Sequence, residues 1–121
     1  KKQIVDGHSM HVFGDKFFTS SIVGGTTPIA LGVAYALKLK KSKNKVFCFI
    51  GDMAASGGLA QECFRYAKGH SLPILYVVEN NEISVTSPTQ DTWGRDKKDV
   101  VDEYQYTLEW PHAGTGQFIL F

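Results

Sequence analysis

The feature that most constrains this chain is a pair of uninterrupted apolar runs, Val46-Phe47-Cys48-Phe49-Ile50 and Pro73-Ile74-Leu75-Tyr76-Val77-Val78, separated by a stretch with helical periodicity. A strand exposed on one face alternates apolar with polar residues; a continuous apolar run is the pattern of a strand buried on both faces of a parallel sheet. Parallel neighbours need a crossover, and Leu59 to Gly69 is long enough to supply one as a helix, with Leu59, Cys63 and Tyr66 or Ala67 turned inward. A preceding helix is expected from Pro28 onward. Thr26 or Thr27 is placed to cap it, Pro28 suits its first turn, Ile29, Val33, Ala36 and Leu37 share a face, and Lys38, Lys40 and Lys41 suit its carboxyl end. The expected fold is therefore α/β, a parallel sheet with flanking helices.

Outside this unit the pattern is weaker. Asp6 to Gly14 and Ser84 to Trp93 read as loops, Arg95 to Val101 as a short helix, and Tyr104 to Leu108 and Gln117 to Phe121 as strands. The 121 residues fit one domain. A net charge of +1 provides no field to recruit nucleic acid or an acidic membrane surface, and the Lys40 to Lys45 cluster reads as a solvated helix end. No apolar stretch approaches the ~20 residues that span a bilayer, and Lys1-Lys2 followed by Ile4, Val5 and Asp6 is not a signal-peptide pattern. Cys48 and Cys63 lie in apolar or helical patterns and read as reduced core thiols; two cysteines are too few for a disulfide framework or a four-cysteine zinc site. The expected location is cytoplasmic, or the mitochondrial matrix in a eukaryote.

In an open parallel sheet, ligands bind beyond the carboxyl ends of the strands. Asp52 follows the first run, and Asn80 and Asn81 follow the second. Taken singly, an Asp there is a common helix cap and Asn-Asn a common turn. Taken together at neighbouring strand ends, a carboxylate and a carboxamide oxygen form a hard donor set. It suits Mg²⁺ or Ca²⁺ and not zinc or copper. Two side chains suffice for Mg²⁺ that completes its shell with phosphate oxygens, a backbone carbonyl and water. The small residues Ala54-Ala55-Ser56-Gly57-Gly58 let a diphosphate approach the backbone and the next helix N-terminus. Neither a Walker loop nor a G-x-G-x-x-G is present.

Gly51-Asp52-Met53 followed by Asn80-Asn81 resembles the thiamine-diphosphate signature that begins GDG and ends NN. The ordered blocks Ser20-Ser21-Ile22-Val23-Gly24-Gly25, Pro28 to Ala36, Ala54-Ala55, Leu72-Pro73-Ile74 and Val78-Glu79-Asn80-Asn81 resemble the E1 α subunit of 2-oxo acid dehydrogenases, as does the loop Gly7-His8-Ser9-Met10-His11. The resemblance runs over about residues 7–90; residues 94–121 diverge. It implies one truncated pyrophosphate-binding domain that holds thiamine diphosphate and Mg²⁺. By the same resemblance Asp52, Asn81 and the backbone carbonyl of Ile83 are the metal ligands. Met53 and Ala54 offer N–H groups to the diphosphate, and Ser21 and Val23 contact the aminopyrimidine through main chain. His11 is the candidate acid/base residue near the substrate; His8 and His112 read as loop histidines, His70 as a helix end, and Trp93 and Trp110 as packing or interface residues. The family's activating glutamate is expected from a pyrimidine-domain, E1 β-like partner chain or a further domain, so an oligomer is expected. Two departures stand out. Met53 replaces a small residue, so its side chain is expected to turn from the phosphates, and Glu82-Ile83 replaces the commoner Gly-Tyr, where a carboxylate beside the diphosphate is unwelcome unless it faces solvent. Two alternatives stay open: a transketolase-like or decarboxylase-like thiamine enzyme component, and a shortened, non-catalytic relative acting as an interaction module.

Overall fold

The two apolar runs lie side by side and parallel, with Val46 opposite Ile74 and Gly51 opposite Glu79. A computed structural model describes residues 2–6, 11–94, 102–107 and 109. In chain order its elements are α1 (Lys2–Val5), β1 (Phe13–Gly14), β2 (Phe17–Phe18), α2 (Thr26–Leu39), β3 (Val46–Gly51), α3 (Asp52–Ala55), α4 (Gly58–Gly69), β4 (Ile74–Asn80), β5 (Ile83–Ser84), β6 (Ser87–Pro88), α5 (Thr89–Trp93) and β7 (Asp102–Gln105). The main sheet has the order β3-β4-β7 and is parallel throughout, since β7 runs along β4 with Val77 opposite Asp102 and Asn80 opposite Gln105. β1–β2 and β5–β6 are small antiparallel ribbons. Ser84 to Trp93, expected as loop, thus contains a ribbon strand and α5; the expected helix at Arg95 to Val101 and strand at Gln117 to Phe121 lie outside the described residues, as do His8, His112 and Trp110.

The core forms on one face of the sheet. Cys48 and Ile50 of β3 and Tyr76 and Val78 of β4 are buried against α2 and α4. From α4 come Ala60, Cys63, Phe64 and Ala67, one face at i, i+3, i+4 and i+7. Phe64 stacks edge-on against Tyr76 with ring centroids 4.7 Å apart. From α2 come Thr27, Ala30, Leu31 and Ala34, the same spacing. The Tyr76 hydroxyl donates to the Thr27 carbonyl across 3.4 Å, fastening α2 to the sheet.

Four sequence expectations are corrected here. β3 is not buried on both faces: Phe47 and Phe49 are each 60% exposed, so the strand alternates although its residues are all apolar. The inward face of α2 is not that of Ile29 and Val33, which are exposed, because the short Thr27 and Ala34 side chains allow the close approach that Tyr76 and Cys48 require. Leu59 and Tyr66 likewise point outward from α4, while Cys63 and Ala67 are inside as expected. Neither threonine caps α2. Gly25 occupies the cap, and the Thr27 hydroxyl instead donates to the Gly24 carbonyl at 2.6 Å.

Candidate functional site

The register of β3 and β4 fixes the site's geometry. Because Gly51 lies opposite Glu79, Asp52 leaves β3 at the level where Asn80 ends β4. α3 then packs against both β4 and β5, the short strand that begins at Ile83. The carboxyl tips of the two strands, with Asp52, Asn80 and Asn81, therefore meet, as a parallel pair must.

Asp52 is 1% exposed, and its Oδ2 has no hydrogen-bond partner among the described residues. A buried carboxylate oxygen without a partner is costly, and a bound cation is one of the few things that compensates it. Around Asn80 and Asn81 the chain makes two overlapping turns. Asn80 Oδ1 accepts from the Glu82 N–H at 2.9 Å, and Asn81 Oδ1 accepts from the Ile83 N–H at 3.2 Å. Glu82 sits at φ 63°, a left-handed conformation, and its side chain is exposed, as expected for a carboxylate at this position. The turn leads into β5, where Ile83 is half-buried.

Beside the strand ends lies a cavity of about 260 Å³, walled by Val23 and Gly24, by Met53 and Ala54 of α3, by the first residues of α4, and by Trp93. Gly24 has φ 72°, which a side chain resists, and a Cβ on Gly25 would sit 3.2 Å from Ile22; both glycines shape the bend that carries Val23 to the cavity rim. The twelve-residue α4 begins at Gly58 beside this cavity, which places the positive end of the helix dipole at the edge of a mostly apolar space. The Trp93 indole donates to Met53 Sδ at 3.1 Å, holding the methionine side chain toward Trp93. Further along the N-terminal segment, His11 Nε2 and Ser21 Oγ lie 3.0 Å apart, and both residues are exposed.

The structure thus groups Val23, Met53 and Ala54 around one cavity, sets Asp52 level with Asn80 at the strand ends with its helix packed on β5, and pairs His11 with Ser21. Trp93 and Tyr106 were not singled out for the site from sequence. Tyr106 hydrogen-bonds Asn81 through a long-range pairing that no local pattern reports. Among the described residues no three His, Cys, Asp or Glu side chains gather in one place.

An α/β domain with a cavity and a buried carboxylate at the carboxyl ends of parallel strands has the architecture of the open-sheet class. Residues 1–103 match the family model described as dehydrogenase E1 component, so the chain belongs to that family. It is 34% identical over 94% of its length to the mitochondrial pyruvate dehydrogenase E1 component subunit alpha of Dictyostelium discoideum. It is 42% identical over 74% of its length to the pyruvate dehydrogenase E1 component subunit alpha of Rickettsia typhi. A type II mitochondrial counterpart from Ascaris suum is 34% identical over 94% of the chain. The chain spans only 35%, 29% and 34% of these relatives' own lengths, respectively. Among the described residues no helix is long and apolar enough to cross a membrane.

Proposed function

We propose that this chain is the cofactor-anchoring domain of a 2-oxo acid dehydrogenase E1-type enzyme, residues 1–121 forming one pyrophosphate-binding unit that holds thiamine diphosphate through Mg²⁺. The observation that carries the reading is the buried Asp52 Oδ2, without a partner among the described residues, at a strand tip level with the end of β4 and beside a cavity. In this reading Asp52, Asn81 Oδ1 and the Ile83 carbonyl hold Mg²⁺. The Met53 and Ala54 N–H groups, with the start of α4, receive the diphosphate. Main chain at Ser21 and Val23 orients the aminopyrimidine. His11, tethered to Ser21, handles a proton at the substrate carbonyl. When bound, thiamine diphosphate supplies the electron-sink chemistry for decarboxylating a 2-oxo acid. A partner chain with an E1 β-like pyrimidine domain, or a further domain, supplies the activating glutamate. The names of the relatives make pyruvate the first substrate to try. Two buried free thiols support a reducing compartment, cytoplasm or mitochondrial matrix. The exposed Phe47, Phe49, Ile29 and Val33 support association into a dimer or larger species, which light scattering tests and a monomer at high concentration refutes.

Calorimetric titration of thiamine diphosphate with and without Mg²⁺ tests the anchor. Binding that needs Mg²⁺ and disappears in Asp52→Ala and Asn81→Ala supports the proposal. One observation favours the reading of a non-catalytic relative: the Met53–Trp93 contact narrows the cavity that the diphosphate would enter. Absence of binding, with an E1 β-like partner present, decides for that reading.

A further inference from the structure

The last pairing of the sheet does more than extend β4. Beyond Asn80 opposite Gln105, the Tyr106 N–H donates to the Asn80 carbonyl at 2.9 Å, which sets Tyr106 next to Asn81. The Asn81 Nδ2 then donates to the Tyr106 hydroxyl oxygen at 2.9 Å. Tyr106 is held in turn: its ring lies 5.8 Å from that of Tyr104, whose hydroxyl donates to Glu79 Oε1 at 3.2 Å.

A carboxamide has one oxygen and one nitrogen, and only the oxygen can ligate a hard cation. The two ends exchange places when the group flips, so an asparagine ligand needs something that tells its ends apart. The Ile83 N–H, which can only donate, identifies the oxygen end, and we propose that Tyr106 is the positioning residue that holds the other end: by accepting from Nδ2 it keeps the nitrogen away from the cation site and steadies the carboxamide. The Ile83 N–H and the Tyr106 hydroxyl thus hold the two ends of one carboxamide. The inference rests on the Mg²⁺ reading of the site and adds to it a residue just beyond the span of the family model.

The test uses the full chain and measures thiamine diphosphate binding by calorimetry across a series of Mg²⁺ concentrations. Tyr106→Phe keeps the ring and removes only the hydroxyl. It is expected to raise the half-saturating Mg²⁺ concentration about 10- to 100-fold, as loss of a partner that orients a metal ligand does, without lowering the melting temperature of the metal-free chain. Asn81→Asp presents two equivalent oxygens and needs no orientation. In that background Tyr106→Phe is expected to move the half-saturating concentration by less than about threefold. An unchanged Mg²⁺ requirement in Tyr106→Phe alone overturns the inference and leaves the cofactor reading standing. An equal loss in both backgrounds overturns it too, because Tyr106 then acts through packing. If the wild-type chain binds thiamine diphosphate without regard to Mg²⁺, or not at all, the cofactor reading fails and takes this inference with it.

Discussion

The Trp93 indole nitrogen donates to the Met53 sulfur across 3.1 Å, joining the end of α5 to the start of α3 over the mouth of the candidate cavity. Thioether–aromatic contacts contribute about 0.3–1.5 kcal/mol, so the pair both stabilises α5 and narrows the opening. Met53→Ala is expected to lower stability by about 1 kcal/mol, which a urea melt reads, and to shift Trp93 fluorescence to the red. With Trp110→Phe present, Trp93 is the sole tryptophan and the emission is unambiguous. The same variant opens the cavity and is expected to tighten thiamine diphosphate binding. Unchanged emission would mean that the contact does not form in solution.

Asp52 combines near-complete burial with an unpartnered oxygen, a combination that favours binding over stability. Asp52→Asn keeps the shape and removes the charge. In the absence of metal it is expected to stabilise the chain by about 1–2 kcal/mol, because an unpartnered neutral carboxamide costs less to bury than an unpartnered carboxylate. In the presence of Mg²⁺ and thiamine diphosphate the order reverses. Ligand at about 100 times its dissociation constant stabilises the wild type by about 2.7 kcal/mol through mass action, and the variant gains none of it. Thermal denaturation of both proteins, with and without the ligands, reads this crossing. A variant less stable than wild type under both conditions would show Asp52 to be an ordinary structural residue.

Glu82 occupies a left-handed conformation, φ 63°, between two Asx turns. That conformation costs a non-glycine residue about 1–2 kcal/mol, part of which glycine returns as chain entropy in the unfolded state. Glu82→Gly is therefore expected to raise stability by about 0.5–1 kcal/mol in a denaturant melt. It also removes a negative charge from the loop that carries the candidate ligands, so the Mg²⁺ requirement for thiamine diphosphate is expected not to worsen. A loss of stability would show that the Glu82 side chain makes a contact outweighing the backbone cost.

What could be read from the sequence was whatever depends on local pattern. The two apolar runs specified the parallel pair β3 and β4, and that pairing is what carries Asp52 next to Asn80 and Asn81 despite their separation along the chain. What could not be read depends on partners far away. The apolar Ile29 and Val33 looked inward, yet packing against Tyr76 favoured the smaller Thr27 and Ala34, because interhelix and helix–sheet distance is set by the bulk already present. Phe47 and Phe49 carry the composition of a doubly covered strand, although neither is covered. The strand expected at Tyr104 to Leu108 forms two residues earlier, as β7 over Asp102–Gln105, because its pairing with β4, which no local pattern reports, sets its bounds. The Tyr106–Asn81 and Trp93–Met53 contacts follow from that tertiary arrangement and have no periodicity of their own.

The two free thiols make stability depend on alkaline pH. Burial is the main cause that pushes both Cys48 and Cys63 above their ordinary value of 9.0, and burial also raises Tyr76. Below about pH 8.5 folded and unfolded chains both keep these protons, so the groups cause no pH dependence there. As pH rises further, the unfolded chain ionises first while the folded chain retains its protons. The unfolded state then binds fewer protons than the native one, and stability falls with each step in pH. The loss starts with the thiols and continues above about pH 10 as Tyr76 joins. Urea midpoints from pH 7 to 10.5 are expected to decline accordingly, and the Cys48→Ala, Cys63→Ala double variant is expected to flatten the decline between about pH 8.5 and 10. The same protonated, buried state makes both thiols slow toward an aromatic disulfide reagent at pH 8 until denaturant is added. Rapid titration of either thiol in the native chain would place that cysteine at the surface, contrary to its position beneath α2 and α4.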